Sequence, residues 1–225
     1  MKLRGVTGIC VALALLAVAG CESTNLWWEY RDDAYIADMA KKGDQEVLRN
    51  INSPNKERRQ MALRILAVRA GEERRAGQRE EAREKEAVII RRYSIEKEQE
   101  VRSCIVRICA PTAGRGSTAM VMFLRERIAA GEFPGYAAMS LAYLGPRDAV
   151  LDIEPLSRHP APEVRLLAAE ALVVLGDERG FDAVARTWRN MTDALWPAKV
   201  EGVPLAEARA GLEARAIRSF GRPLQ

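Results

Sequence analysis

One histidine, four cysteines and 6% aromatic residues leave this 225-residue chain short of the groups that catalysis and metal binding draw on. His159 sits in a turn between Arg158 and Pro160, and spacing pairs no serine or cysteine nucleophile with it. Neither the spacing nor the neighbours of the cysteines suggest a metal, so no cofactor or metal is expected. "GRGST" (114–118) lacks the lysine that a phosphate loop places after its second glycine, and no strand precedes it. Gly116 and Ser117 read instead as the break of one helix and the cap of the next. Carboxylates are abundant but lie among arginines, a pattern of surface ion pairs and not of a catalytic acid and base. An enzyme, and with it a small-molecule substrate, is not expected.

An excess of one charge is missing as well. Lys and Arg number 35 against 31 Asp and Glu, a net +4. Lys2 and Arg4 precede the chain's only long apolar run, so without residues 1–20 the balance is 33 against 31, or +2. Interspersed opposite charges cancel beyond a Debye length of about 8 Å at physiological salt, which argues against nucleic acid as a partner. With 48% apolar residues the chain is too hydrophobic to be disordered throughout and long enough for a substantial core.

The apolar run, residues 9–19, follows a short positive segment and is itself followed by small residues and Cys21, the layout of an export signal. As a helix it would reach only about 16 Å, half of a bilayer's hydrocarbon core, so a spanning helix is disfavoured. Val18-Ala19-Gly20-Cys21 resembles a bacterial lipobox. The resemblance implies cleavage of residues 1–20, a lipid on the Cys21 sulfur and a further acyl chain on its amine, which together hold a protein to a membrane where one chain does not. Glu22 in place of the aspartate that marks inner-membrane retention leans toward the outer membrane, facing the periplasm. An ordinary cleaved signal with a chance cysteine is the alternative. Just beyond the anchor, Trp27, Trp28 and Tyr30 either sit at headgroup level or cover the open end of the first helix pair. Cys10 leaves with the signal, so Cys104 and Cys109 remain. Five residues apart on an α-helix the two thiols differ by about 140° and point apart. Both are therefore expected as small buried apolar residues, with neither a bridge nor a redox pair.

Beyond residue 30, apolar residues recur at three-to-four spacing between Pro, Gly and Asp breaks, and no stretch alternates like a strand. One unit, "HPAPEVRLLAAEALVVLGD" (159–177), recurs as "SPNKERRQMALRIL" (53–66), "EQEVRSCIVRIC" (98–109) and, more loosely, "PGYAAMSLAYLGP" (134–146). Anchored on Arg59, Arg102, Pro134 and Arg165, the units lie 43, 32 and 31 residues apart, each interval holding two short helices. Second helices are expected at 78–93, 117–129, 147–156 and 180–188. Residues 159–190 resemble a short HEAT repeat of the bilin-lyase-like type, with Pro160, Val164, Arg165, Ala168, Ala169, Ala171, Leu172 and the Gly176-Asp177 turn matching its pattern. The resemblance implies an all-α solenoid of roughly five to six stacked helical hairpins, and says little of function. Residues 21–52 would form the tether and an N-terminal helix pair, 53–190 the repeats, and 191–225 a capping segment with a last helix from Pro204 to Phe220. The long first interval is read as a charged insertion, residues 71–87, part of it a solvated helix extension in which Glu81 and Lys85 have the favourable i,i+4 order.

The second helices carry Arg91, Arg92, Arg125, Arg127, Arg186, Trp188 and Arg189, residue types common at protein interfaces. They suggest a groove for an acidic or extended protein partner, against the plainer reading of a solvated arginine face. The expected function is a membrane-anchored scaffold or adaptor; a membrane-to-wall tether and, less so, a HEAT-like enzyme are the alternatives. Labelling of cells with an alkyne fatty acid should mark the protein and disappear in Cys21→Ser. Recovery of the mature chain from the aqueous fraction with a free thiol at its start would refute the anchor.

Overall fold

The computed structural model describes residues 43–113, 116–146, 148–191, 196–200 and 202–224; Cys21, Trp27, Trp28 and Tyr30 lie outside them. The described residues are almost wholly helical: α1 (Asp44–Ile51), α2 (Lys56–Arg75), α3 (Arg79–Ile95), α4 (Gln99–Cys104), a π-helical turn (Ile105–Cys109), α5 (Ala110–Thr112), α6 (Thr118–Ala129), α7 (Pro134–Leu144) and α8 (Ala149–Ile153). A 3-10 turn (Glu154–Arg158), α9 (Pro162–Leu175), a second 3-10 turn (Glu178–Gly180), α10 (Phe181–Asn190) and α11 (Leu205–Phe220) complete them. Between α10 and α11 a two-residue hairpin pairs Lys199 with Pro204 and Val200 with Val203, around Gly202 at φ +80°. Four paired residues are too few to show as alternation in the sequence.

Helix ends follow local chemistry. The Asn55 side chain accepts from the Arg58 N–H at 2.8 Å to start α2, and the Ser117 hydroxyl accepts from the Met120 N–H at 3.2 Å to start α6. Each such cap contributes about 1 kcal/mol. Proline opens α7 and α9, and both end at a left-handed glycine, Gly145 and Gly176, 31 residues apart. The same offset aligns Ala137, Ala138 and Leu141 of α7 with Ala168, Ala169 and Leu172 of α9, all of them buried. Small residues there bring the two helices close. A Cβ at Gly135 would stand 2.8 Å from the Leu167 side chain.

The principal contacts join elements that are neighbours in chain order or one pair apart. α2 lies against α1 and α3, the π-helical turn against α2 and α7, and α9 against α7, α10 and α11. A second series links α3 to α6, and α10 to the 3-10 turn after α8.

The units share a local device. Ser53 Oγ accepts from the Asn55 N–H at 3.2 Å while Arg59 Nη1 donates to the carbonyls of Ser53 and Pro54, both at 2.9 Å. At the matching positions His159 Nδ1 accepts from the Ala161 N–H at 3.1 Å, and Arg165 Nη1 donates to the carbonyls of His159 and Pro160 at 2.9 and 2.8 Å. Glu96 holds the same place before Arg102 and accepts from the Glu98 N–H at 3.1 Å. The unit at Pro134 departs from this plan. Its helix begins at Pro134 itself, whereas α2, α4 and α9 begin three residues before their arginine. Phe133 just before it takes φ +51°, a left-handed conformation that side-chain-bearing residues avoid.

Two expectations change. The stretch 71–87 is the end of α2 and the first half of α3; Glu72, residues 75–81, Arg83, Glu84 and Ala87 are exposed, but Gly71, Glu73, Arg74, Lys85 and Glu86 are drawn into the fold. Gly71 is buried, and a Cβ there would stand 2.5 Å from the Thr112 carbonyl oxygen. Glu86 is fully buried, accepting from Arg74 and from the Ser117 hydroxyl at 2.7 Å. Lys85 bonds Glu73 at 2.7 Å across the hairpin and pairs with Asp44 at 3.3 Å, away from Glu81. The partners of Glu73, Arg74, Lys85 and Glu86 lie 12 to 42 residues away, where i,i+4 arithmetic does not look.

The second change concerns the cysteines. Both are buried, as expected. Between them the helix widens: the Ala110 N–H reaches back five residues to the Ile105 carbonyl. The wide turn is held in place by the Ser140 hydroxyl of α7, donating to the Val106 carbonyl at 2.6 Å, and by Thr112, donating to the Ile108 carbonyl at 2.6 Å. In a π-helical turn residues five apart face nearly the same way, so the two thiols lie on one side of the helix where α-helical geometry would turn them apart.

Gly71→Ala would force a methyl group against the α5 backbone, an overpacking expected to cost about 2 kcal/mol. It should lower the urea midpoint with unchanged slope; a midpoint equal to wild type would show that α2 and α5 are not in the contact described.

Candidate interaction surface on the second helices

Helices α3, α6, α8 and α10, with the turns that follow them, position every arginine that sequence singled out. Arg92, in the last turn of α3, donates to Glu96 from Nε at 3.0 Å and Nη2 at 2.7 Å. Arg59 of α2 meets the same carboxylate from Nε at 2.9 Å and Nη2 at 3.1 Å. Burial of Glu96 would raise its pKa, but Arg92, the Glu98 N–H and Arg59 outweigh that and hold it down at about 2.

Glu132, after α6, collects a second set. Arg127 donates to it, Arg102 Nη2 reaches it at 2.8 Å, and the Tyr93 hydroxyl donates at 3.0 Å. Arg102 hydrogen-bonded to Glu132 lowers that carboxyl's pKa, with Tyr93 and Arg127 adding to the effect. The guanidiniums of Arg102 and Arg127 stand 4.4 and 5.0 Å from the Tyr93 ring centroid, and Phe123 meets the ring edge-on at 5.0 Å. Arg125 bridges forward from α6 to Asp148 at 2.8 Å and Asp152 at 2.9 Å. Hydrogen bonding to Asp148 and then Asp152 raises the pKa of its guanidinium. Arg186 faces Glu154 at 4.0 Å. Trp188 lies under the Arg209 guanidinium at 3.9 Å, its buried Nε1 finding no acceptor among the described residues.

The seven residues thus do not form one open cationic patch. Arg92, Arg125, Arg127 and Arg186 join second helices and their turns to one another through carboxylates, while Arg91 and Arg189 are exposed. Beside them the second helices expose large apolar side chains: Ile95 at 60% on α3, one turn after Arg91, Met122 at 52% on α6, and Leu151 at 67% on α8. The exposed side chains of the second helices are thus mixed, Ile95, Met122 and Leu151 falling between Arg91 and Arg189 in chain order. Sequence reasoning missed Glu96, Glu132, Asp148 and Asp152. A signal for Glu96 existed, since it precedes Arg102 by the six residues that separate Ser53 from Arg59 and His159 from Arg165.

Among the described residues no group of three or more His, Cys, Asp or Glu is placed to hold a metal ion, and no helix is long and apolar enough to cross a membrane.

The lowered pKa of Glu96 sets a pH dependence. Its ordinary value of 4.5 applies unfolded, so the stabilisation is fully present above that value and is lost as pH falls toward about 2. Glu96→Gln should lower stability at pH 6, and its deficit against wild type should shrink by about 3 kcal/mol on going to pH 2. Unfolding free energies that stay parallel across that window would exclude the buried ionised carboxylate.

No family model, no curated protein and no solved structure matches this chain.

Proposed function

We propose that this protein is a lipid-anchored α-solenoid of HEAT-like helical hairpins, a scaffold or adaptor that holds a protein partner at the periplasmic face of the outer membrane. The observation that carries the architecture is the turn repeated at Ser53–Arg59 and His159–Arg165, the same three contacts built twice, on a serine in one unit and a histidine in the other. Units that share a start and lean on their chain neighbours favour a linear stack, since no helix pair buries its own apolar face. The anchor rests on the segment ending at Cys21. Binding without turnover fits the second-helix surface, where exposed Ile95, Met122 and Leu151 lie between exposed Arg91 and Arg189. With four of its arginines already engaged inside the chain, this face suits a partner of mixed apolar and acidic character better than a polyanion.

A photocrosslinking residue at Met122, in intact cells, should capture a protein at higher yield than the same residue at Val68 on α2, and Arg91→Glu with Arg189→Glu should reduce that capture several-fold. Capture of peptidoglycan fragments instead would favour a membrane-to-wall tether. Equal yields from both positions would remove the second-helix surface as the binding face.

A further inference from the structure

We propose that Cys104 and Cys109 are a redox-active dithiol that closes to an intramolecular disulfide by exchange with a disulfide of the glutathione class. Three observations place the pair outside ordinary core packing. The π-helical turn brings residues five apart onto one side of the helix, the side-by-side placement a disulfide needs and an α-helix denies. That turn is built into the fold, because the buried Ser140 hydroxyl of the neighbouring α7 holds the Val106 carbonyl in the middle of it. A guanidinium is also aimed at one of the sulfurs: Arg64 Nε of α2 donates to Cys104 Sγ at 3.3 Å. Packing alone calls for none of these, and an apolar residue at position 104 would leave that donor unanswered.

The chemistry divides the two thiols. The hydrogen bond from Cys109 leads in lowering the Cys104 thiol, and against the opposing effect of burial Arg64 and Arg107 help bring it to about 7. Cys109 gives that hydrogen bond, keeps its proton and is pushed up. Cys104 is therefore the attacking thiolate and Cys109 the resolving thiol. In the first step Cys104 Sγ bonds one sulfur of glutathione disulfide, the glutathione S–S bond breaks, and one glutathione thiolate departs. Cys109 then loses its proton to that thiolate or to solvent and attacks Cys104 Sγ, expelling the second glutathione thiolate. The protein dithiol is oxidised by two electrons and one glutathione disulfide is reduced to two thiols. Both sulfurs are buried, so exchange passes through opening of the wide turn, whose i→i+5 bonds are poorer than those of the α-helix on either side.

Trypsin cuts after Arg102, Arg107 and Arg115, so the two cysteines fall in separate peptides, 103–107 and 108–115. The full chain is equilibrated with glutathione disulfide, quenched in acid, unfolded, alkylated and digested. The expected product is the two peptides joined by a disulfide, reversed to two alkylated peptides by excess reduced glutathione. In Cys109→Ser the joined pair should be absent and Cys104 should retain glutathione as a mixed disulfide. Arg64→Gln, checked for native helicity, should slow closure at pH 7 by less than the roughly sixfold that full return of the Cys104 thiol to its ordinary value would give, the lost thiolate fraction being partly offset by higher nucleophilicity. An unchanged rate would overturn the role given to Arg64. Thiols that stay fully alkylatable in the wild type, or glutathione on both cysteines without a joined pair, would overturn the proposal. Because the readout is peptide linkage, either outcome stands apart from whether the protein is an envelope scaffold.

Discussion

A carboxylate taken out of water at a junction between helices must be met by cations and N–H groups, and the middle of this fold is arranged around that requirement. Glu96 ends one helix pair and starts the next; its two oxygens bind Arg59 from α2, Arg92 from α3 and the first backbone N–H groups of the following unit. Glu132 repeats the arrangement one unit later with Arg102, Arg127 and Tyr93. Glu86 does the same in the interior, between Arg74 and Ser117. Apolar burial supplies the bulk of the favourable free energy, but it is non-directional. These ion pairs fix the register of one pair of helices against the next.

The sequence was legible where its signals are local. A helix start was legible at Ser117 and a stop at Gly176, and the second helices fall within a few residues of the expected 78–93, 117–129, 147–156 and 180–188. The last helix, expected from Pro204 to Phe220, runs Leu205–Phe220. The repeat register was visible through Arg59 and Arg165, whose roles proved to be the same. What escaped depends on contacts across units. Nothing within four residues of Glu86 announces its burial, and Arg125 and Arg186, read as part of an arginine ridge, find their carboxylates on a neighbouring helix and turn. The π-helical turn escaped for a different reason. It is maintained by Ser140, 34 residues away, and has no propensity signature of its own.

That wide turn also joins the two levels of the molecule. It sits where α4 passes between α2 and α7, so the residues that make its chemistry, Arg64 and Ser140, come from the units before and after. The pair of thiols is thus a property of the packed array and not of its own helix. In the isolated segment, with neither Ser140 nor Arg64 present, α-helical geometry would separate the sulfurs.

The late start of α7 has a further consequence. With proline where its fellow units carry arginine, the third unit forgoes the guanidinium brace that ties a turn to the helix after it, and Phe133 occupies a backbone conformation better suited to glycine or asparagine. The junction of α6 and α7 is fastened instead through Glu132, which both Arg127 of α6 and Arg102 of α4 reach. Loss of the carboxylate at position 132 would take from two guanidiniums and the Tyr93 hydroxyl the acceptor they share, at the one of these four helix starts that has no arginine of its own.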